Sequence, residues 1–214
     1  MTCTLRYAAA LLLTSGALVA AQTATSPSDL DSESHARLPY LQRKDVREAD
    51  QKIFDVLPGR GKDDVLRGPL AYAAYNPGVA KALFDLHNAA VAGSLDAHVR
   101  ELAIMVACRE TSYNLEWNAH EAAALKNGVD VKVIEAVRRR APLTGLDEKD
   151  AAVIRFGREL LGRKKVDPAT FAKIVELYGK RGAMDMVAVM NTYAVSGFYA
   201  IAVDEQPAPG KSPL

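Results

Sequence analysis

Three acid/base side chains fall within twenty residues near the middle of the chain. They belong to the stretch Glu101-Leu-Ala-Ile-Met-Val-Ala-Cys-Arg-Glu-Thr-Ser-Tyr-Asn-Leu-Glu-Trp-Asn-Ala-His120. Glu116 and His120 are spaced i, i+4, which stacks them on one face of a helix. An ionised Glu beside an imidazole orients the ring and raises its pKa. Such a pair suits general acid/base work, one member accepting a proton and the other returning it. The same spacing also describes an ordinary surface pair worth about 0.2–0.5 kcal/mol. Glu101 shares a helical face with Ile104, Met105 and Cys108. It is either a desolvated carboxylate that needs a partner or an edge residue reaching solvent.

Other side chains are candidates to line a pocket. Trp117, with Ala123 and Ala124, offers an apolar wall beside Glu116 and His120. His87 lies on the face of Leu83, Phe84 and Val91, as a core histidine or a site residue. Asn191 and Tyr193 interrupt an apolar helix, facing either a cavity or an interhelix hydrogen bond. Cys108 reads as a buried structural thiol, and His35 and His98 as solvent-facing. Glu116 and His120 would make one edge of a metal site with His87 or Glu101, but the spacing fixes no third ligand and no metal is assigned. Gly59-Arg60-Gly61-Lys62 lacks the preceding strand and the Ser or Thr of a phosphate loop, since Asp63 follows it.

Positioning these groups falls to helices. Apolar residues recur at helical spacing and no strand pattern emerges, so an all-α fold is expected. The periodicity predicts helices over Asp45–Leu57, Pro69–Tyr75, Gly78–Ala92, Ala97–Glu110, Leu115–Asn127, Asp130–Arg140, Asp147–Leu161, Asp167–Tyr178 and Gly182–Val203. Asp96 is a candidate N-cap, and Gly93 and Gly128 are candidate stops. The basic runs 138–140 and 163–165 sit at helix ends, where they meet the negative end of the macrodipole.

The chain has 214 residues with 27 Lys and Arg against 26 Asp and Glu, which excludes the concentrated basic face that nucleic acid requires. A 49% hydrophobic share gives a single domain enough apolar side chain for a core. Residues 1–21 read as a signal peptide: Arg6, an apolar run too short to span a bilayer, then Val19 and Ala21 before a cleavage site. Export to a periplasm or beyond follows, with no membrane attachment after cleavage. Cys108 is then the only cysteine, so no internal disulfide forms. Residues 22–37 are a polar linker, 38–205 the folded domain and 206–214 a Pro-rich tail.

The order Glu101, Tyr113, Glu116, His120 resembles the carboxymuconolactone decarboxylase and alkylhydroperoxidase D family, with further similarity from about Arg37 to Val203. Redox members carry Cys-x-x-Cys where Tyr113 and Glu116 stand here, and a His four residues beyond. Leu115-Glu-Trp-Asn-Ala-His120 is similar to the decarboxylase-type form, except that Ala119 replaces the first of two adjacent histidines. The resemblance implies a compact multi-helix domain, a homo-oligomer (a trimer or hexamer), no cofactor, and a small organic acid or lactone as substrate. With it, Glu116, His120 and Glu101 are expected to carry catalysis and Tyr113 and Trp117 to lie beside the substrate; His87, Asn191 and Tyr193 join the expected substrate-binding set from their helical positions alone. The expected reaction is a decarboxylation, isomerisation or related carbon–carbon cleavage of an aromatic-breakdown product. Alternatives are a metal-assisted lyase, a non-catalytic helical scaffold, and a thiol peroxidase, which the absent cysteine pair opposes.

Overall fold

Aspartates start three of the helices that matter, as short side chains able to reach free N–H groups do. Asp96 accepts from the Val99 N–H at 2.9 Å, Asp130 from Lys132 at 2.8 Å and Asp147 from Lys149 at 2.9 Å. The computed structural model describes residues 29–207 and Leu214, so the signal peptide and most of the C-terminal tail lie outside the described residues. The fold is all-α. Its helices are α1 (Glu48–Phe54), α2 (Pro77–Val91), α3 (Ala97–Glu110), α4 (Asn114–Lys126), α5 (Val131–Arg138), α6 (Glu148–Gly157) and α7 (Pro168–Ala202). Among the described residues there is no strand, only isolated bridges between Gln42 and Val65 and between Arg60 and Leu66.

α3 is the central post. Residues 101–108 are all buried, and α4, α6 and α7 pack around them. A helix enclosed on every side must be apolar or have its polar groups paired, and this forces the pairing of Glu101 described below. α4 ends at Gly128, whose φ of 86° lets its N–H reach the Leu125 carbonyl (3.0 Å) while Val129 reaches Ala124 (3.0 Å). α7 is interrupted at Gly179 (φ 71°, ψ 171°), the break expected between Tyr178 and Gly182. Its start is capped from another element: Glu159 accepts from the Asp167 N–H at 2.8 Å and the Thr170 hydroxyl at 3.0 Å.

Several expected boundaries move. The helix predicted over Asp45–Leu57 shortens to α1, because Asp45 belongs to a 3-10 turn, Val46 and Arg47 have non-helical backbone (ψ 132° and 138°), and Pro58 supplies no N–H to continue the far end. Pro69–Tyr75 contains only a 3-10 turn, Ala73–Tyr75, and α6 gives way after Gly157 to a π-helical turn, Arg158–Gly162. The linker expected to be loose is docked over residues 29–37. Ser34 and Ala36 are buried, Arg37 N–H bonds the Val203 carbonyl (2.7 Å) and Gln206 N–H bonds that of His35 (2.9 Å). His98 does not face solvent freely, since its Nε2 lies 2.7 Å from Asp150 Oδ1.

Among the described residues two larger apolar clusters result, beside a third formed by Ala36, Tyr72 and Val203. The larger joins α3 to α7. The smaller gathers Phe54, Leu57, Leu66 and Leu70 from residues 41–80 and rests on α2. Gly59 (φ 89°) lets its strand of chain lie against Arg67, whose carbonyl oxygen would stand 2.2 Å from any Cβ there. The loops Pro58–Gly59 and Gly68–Pro69 are thereby fixed over the inner end of α2.

Candidate active site

Glu101, buried on α3, points at α4. His120 Nδ1 lies 2.8 Å from Glu101 Oε2, and its Nε2 lies 3.2 Å from both Glu116 Oε2 and the Tyr193 hydroxyl. The helical spacing of Glu116 and His120 therefore makes an interior pair rather than a surface one. Burial alone would lower the His120 pKa. The hydrogen bonds and charges of Glu101 and Glu116 outweigh it and lift the value to about 9. At neutral pH the ring is a cation donating from both nitrogens, held between two carboxylates.

α7 adds Tyr193, whose ring meets that of His120 edge-on at 5.1 Å, and α2 adds His87, 5.7 Å from the Tyr193 ring. Burial holds the His87 pKa below its usual value despite the nearby Glu116, so this second imidazole is neutral at pH 7. Burial and the surrounding carboxylates push the Tyr193 phenol well up, which keeps it a donor.

Glu116, His87 and Tyr193 open onto a cavity of about 290 Å³. Leu70, Leu83, Phe84 and the loops Pro58–Gly59 and Gly68–Pro69 supply its apolar walls; Thr192 and Ser196 add hydroxyls. Arg67 is the one Lys or Arg among the described residues lining it, and it is paired with Glu33 and Asp63. Glu101 and His120 stand behind this wall, with His120 in contact with Glu116 and Tyr193.

Residues 77–159 match the carboxymuconolactone decarboxylase family model. Over that stretch the chain carries the sequence pattern of the family. Among solved structures it is similar to the alkylhydroperoxidase AhpD core of Ralstonia eutropha JMP134, an uncharacterized peroxidase-related protein. That match has 20% identity and a TM-score of 0.60, covering 84% of this chain and 98% of the other. It is also similar to the debrominase Bmp8 in complex with 2,3,4-tribromopyrrole, at 15% identity and a TM-score of 0.58, covering 79% of this chain and 90% of the other. At such identities the likeness is one of fold. No curated protein matches the sequence.

The stretch matching the family contains Glu101, Glu116, His120 and His87, whereas Tyr193 comes from outside it. Three residues expected around the substrate lie elsewhere. Trp117 is buried on the other side of α4, beneath the Arg138 guanidinium (4.8 Å to the ring centroid), and donates to Glu121 at 3.2 Å. One residue along a helix is a turn of about 100° from Glu116, enough to leave the site. Asn191 is exposed, because a side chain two residues from the inward-facing Tyr193 emerges on nearly the opposite face. Tyr113 is buried but lines a different hollow. Cys108 is fully buried, and burial together with Glu116 and Glu101 pushes its thiol well above the usual range, opposite to what a reactive thiolate needs. Among the described residues no three His, Cys, Asp or Glu side chains are grouped to hold a metal.

Sequence reading missed Thr192, Ser196, Arg67 and the two loops. The i, i+4 spacing of Thr192 and Ser196 along the Tyr193 face was an available signal. The loops join the cavity only through long-range packing and left none.

Proposed function

We propose that this protein is an exported, cofactor-independent acid/base enzyme acting on a small carboxylated lactone or a related aromatic-breakdown product. One observation carries the reading: a carboxylate, Glu116, faces a mostly apolar cavity while a half-buried imidazolium, braced from behind by Glu101, holds it in place. Glu116 takes a proton from a carbon next to the substrate carbonyl, and the electron pair moves onto the carbonyl oxygen. Tyr193 accepts a hydrogen bond from His120, so its own hydrogen is free to meet that oxygen. Neutral His87 offers a second polar contact. Returning the proton from Glu116 to a conjugated carbon completes an isomerisation.

In a decarboxylation the carbon–carboxylate bond breaks instead and its electrons pass into the same conjugated carbonyl. Glu116, ionised at rest, first takes the proton of the departing carboxyl group; carbon dioxide leaves, and Glu116 returns that proton to the carbon. A carboxylate retained by the substrate is repelled by the Glu101–His120–Glu116 group, which carries a net negative charge, and points to Arg67. The assembly is read as a homo-oligomer. The exposed Phe198 near the end of α7 is available for contacts between copies.

An untargeted metabolite screen in deuterated water, comparing wild type with Glu116→Gln, tests the proposal. Wild type should consume a small acid or lactone and place solvent deuterium on a product carbon. The variant should be slower by about 10²–10⁴-fold with its fold intact. Equal turnover by both proteins overturns the assignment, as does a wild type that transforms nothing.

A further inference from the structure

A second hollow, of about 640 Å³, is lined by none of the residues that line the first. It forms where residues 34–40, the start of α4 and the end of α7 converge. From its lining and neighbouring groups, we propose that it is a binding site for an organic monocation bearing an ammonium group, held by Glu205 and by the hydroxyl and ring of Tyr113.

Glu205 is the first reason. Its carboxyl is largely buried, yet among the described residues it forms no ion pair, and its one side-chain hydrogen bond comes from the Tyr72 hydroxyl at 3.3 Å. Burial pushes its pKa up to about 7, with the negative charge of Glu116 adding to the effect. A carboxylate desolvated in this way gains most from an arriving cation. No Lys or Arg lines the hollow among the described residues; Asp204 at its edge is already paired with Arg37 at 3.4 Å, which leaves Glu205 as the unpaired carboxylate there.

Tyr113 supplies an independent observation. The residue is only 3% exposed, and its hydroxyl bonds no described residue although the ring borders the hollow. Burial and the charges of Glu116 and Glu205 raise its pKa, so the phenol remains protonated. A phenol without a protein partner at the wall of the hollow keeps its donor and acceptor capacity for a guest. Tyr40, stacked on Tyr72 at a centroid distance of 6.3 Å, adds a second aromatic ring to the wall. Carboxylate, phenol and aromatic rings, with the apolar Leu115 and Ile201 and uncharged polar side chains such as Ser112 and Asn118 beside them, are the chemistry that recognises an alkyl- or arylammonium. Glu116 chemistry does not use this hollow, so the two assignments stand or fall separately.

Titration of the full chain with benzylammonium, choline, and the controls benzyl alcohol and benzoate tests the assignment by calorimetry and NMR. Benzylammonium or choline should bind saturably, with intermolecular nuclear Overhauser effects to the Tyr113 and Tyr40 rings. Benzyl alcohol and benzoate should bind at least tenfold more weakly. Glu205→Gln should weaken ammonium binding at least tenfold, and Tyr113→Phe, which keeps the ring, about threefold or more. If Glu205→Gln does not fold, the Tyr113→Phe loss and the ring contacts in wild type decide. Failure of both ammonium probes to bind, equal affinity in the variants, or preference for benzoate overturns the proposal.

Discussion

Replacing Glu101 by Gln should move the titration of a residue on another helix. In the native protein the His120 pKa stands near 9 against an ordinary 6.5, a difference of roughly 2.5 units or about 3 kcal/mol at about 1.4 kcal/mol per unit. The folded value lies above the unfolded one. The stabilisation is therefore fully present below pH 6.5 and lost as pH rises through about 9. Glu101 holds one ring nitrogen at 2.8 Å, while Glu116 and Tyr193 share the other at 3.2 Å. An opposite charge at this range is worth roughly one to three units, so Glu101→Gln should lower the His120 midpoint by one to two. Long-range proton–nitrogen NMR of the imidazole from pH 5 to 10 reads the midpoint. Urea unfolding at pH 6 and 9.5 reads its energetic counterpart, and the difference between the two proteins isolates His120 from other titrations. A wild-type midpoint at or below 6.5, or the same midpoint in both proteins, would refute the reasoning.

Three further expectations follow from the same geometry. On the substrate identified by the metabolite screen, Arg67→Gln should raise KM about tenfold or more with little change in kcat, and the methyl ester should be insensitive to the change. A similar loss on acid and ester would mean that Arg67 only holds its loop through Glu33 and Asp63. Cys108 should resist a thiol-specific disulfide reagent until the protein unfolds, and Cys108→Ala should alter turnover less than about twofold; rapid modification of the native thiol would contradict this. Gly197→Ala should cost about 1–3 kcal/mol by denaturant unfolding, since a Cβ there would stand 2.5 Å from Thr111 Oγ1. A loss under about 0.5 kcal/mol would show that the α7 contact gives way easily.

Local chemistry explains which features could be read along the chain. Asp96, Asp130, Asp147, Gly128 and the break at Gly179 each act within a few residues, so their consequences were legible. The Glu116–His120 pair is equally local. Whether Glu101 was buried or at an edge depended on which helices surround α3, and tertiary packing decided it. Trp117 and Asn191 were misplaced for a narrower reason: nearness in sequence is not a shared face, and steps of one or two residues rotate a side chain out of the site. The π-helical turn after Gly157, and the capping of α7 by Glu159 from outside its own start, arise from contacts between elements and have no short-range signature.

The matched stretch and the cavity do not share a boundary. Residues 77–159 carry the acid/base trio, but much of the opposing wall is built by chain that precedes them, through loops seated on a small apolar cluster of their own. The three titratable side chains and much of the cavity wall thus come from different portions of the polypeptide. Lengthening or exchanging the segment around positions 58–70 would reshape what the cavity admits while leaving Glu101, Glu116 and His120 in place, which makes that segment the natural target for altering what binds there.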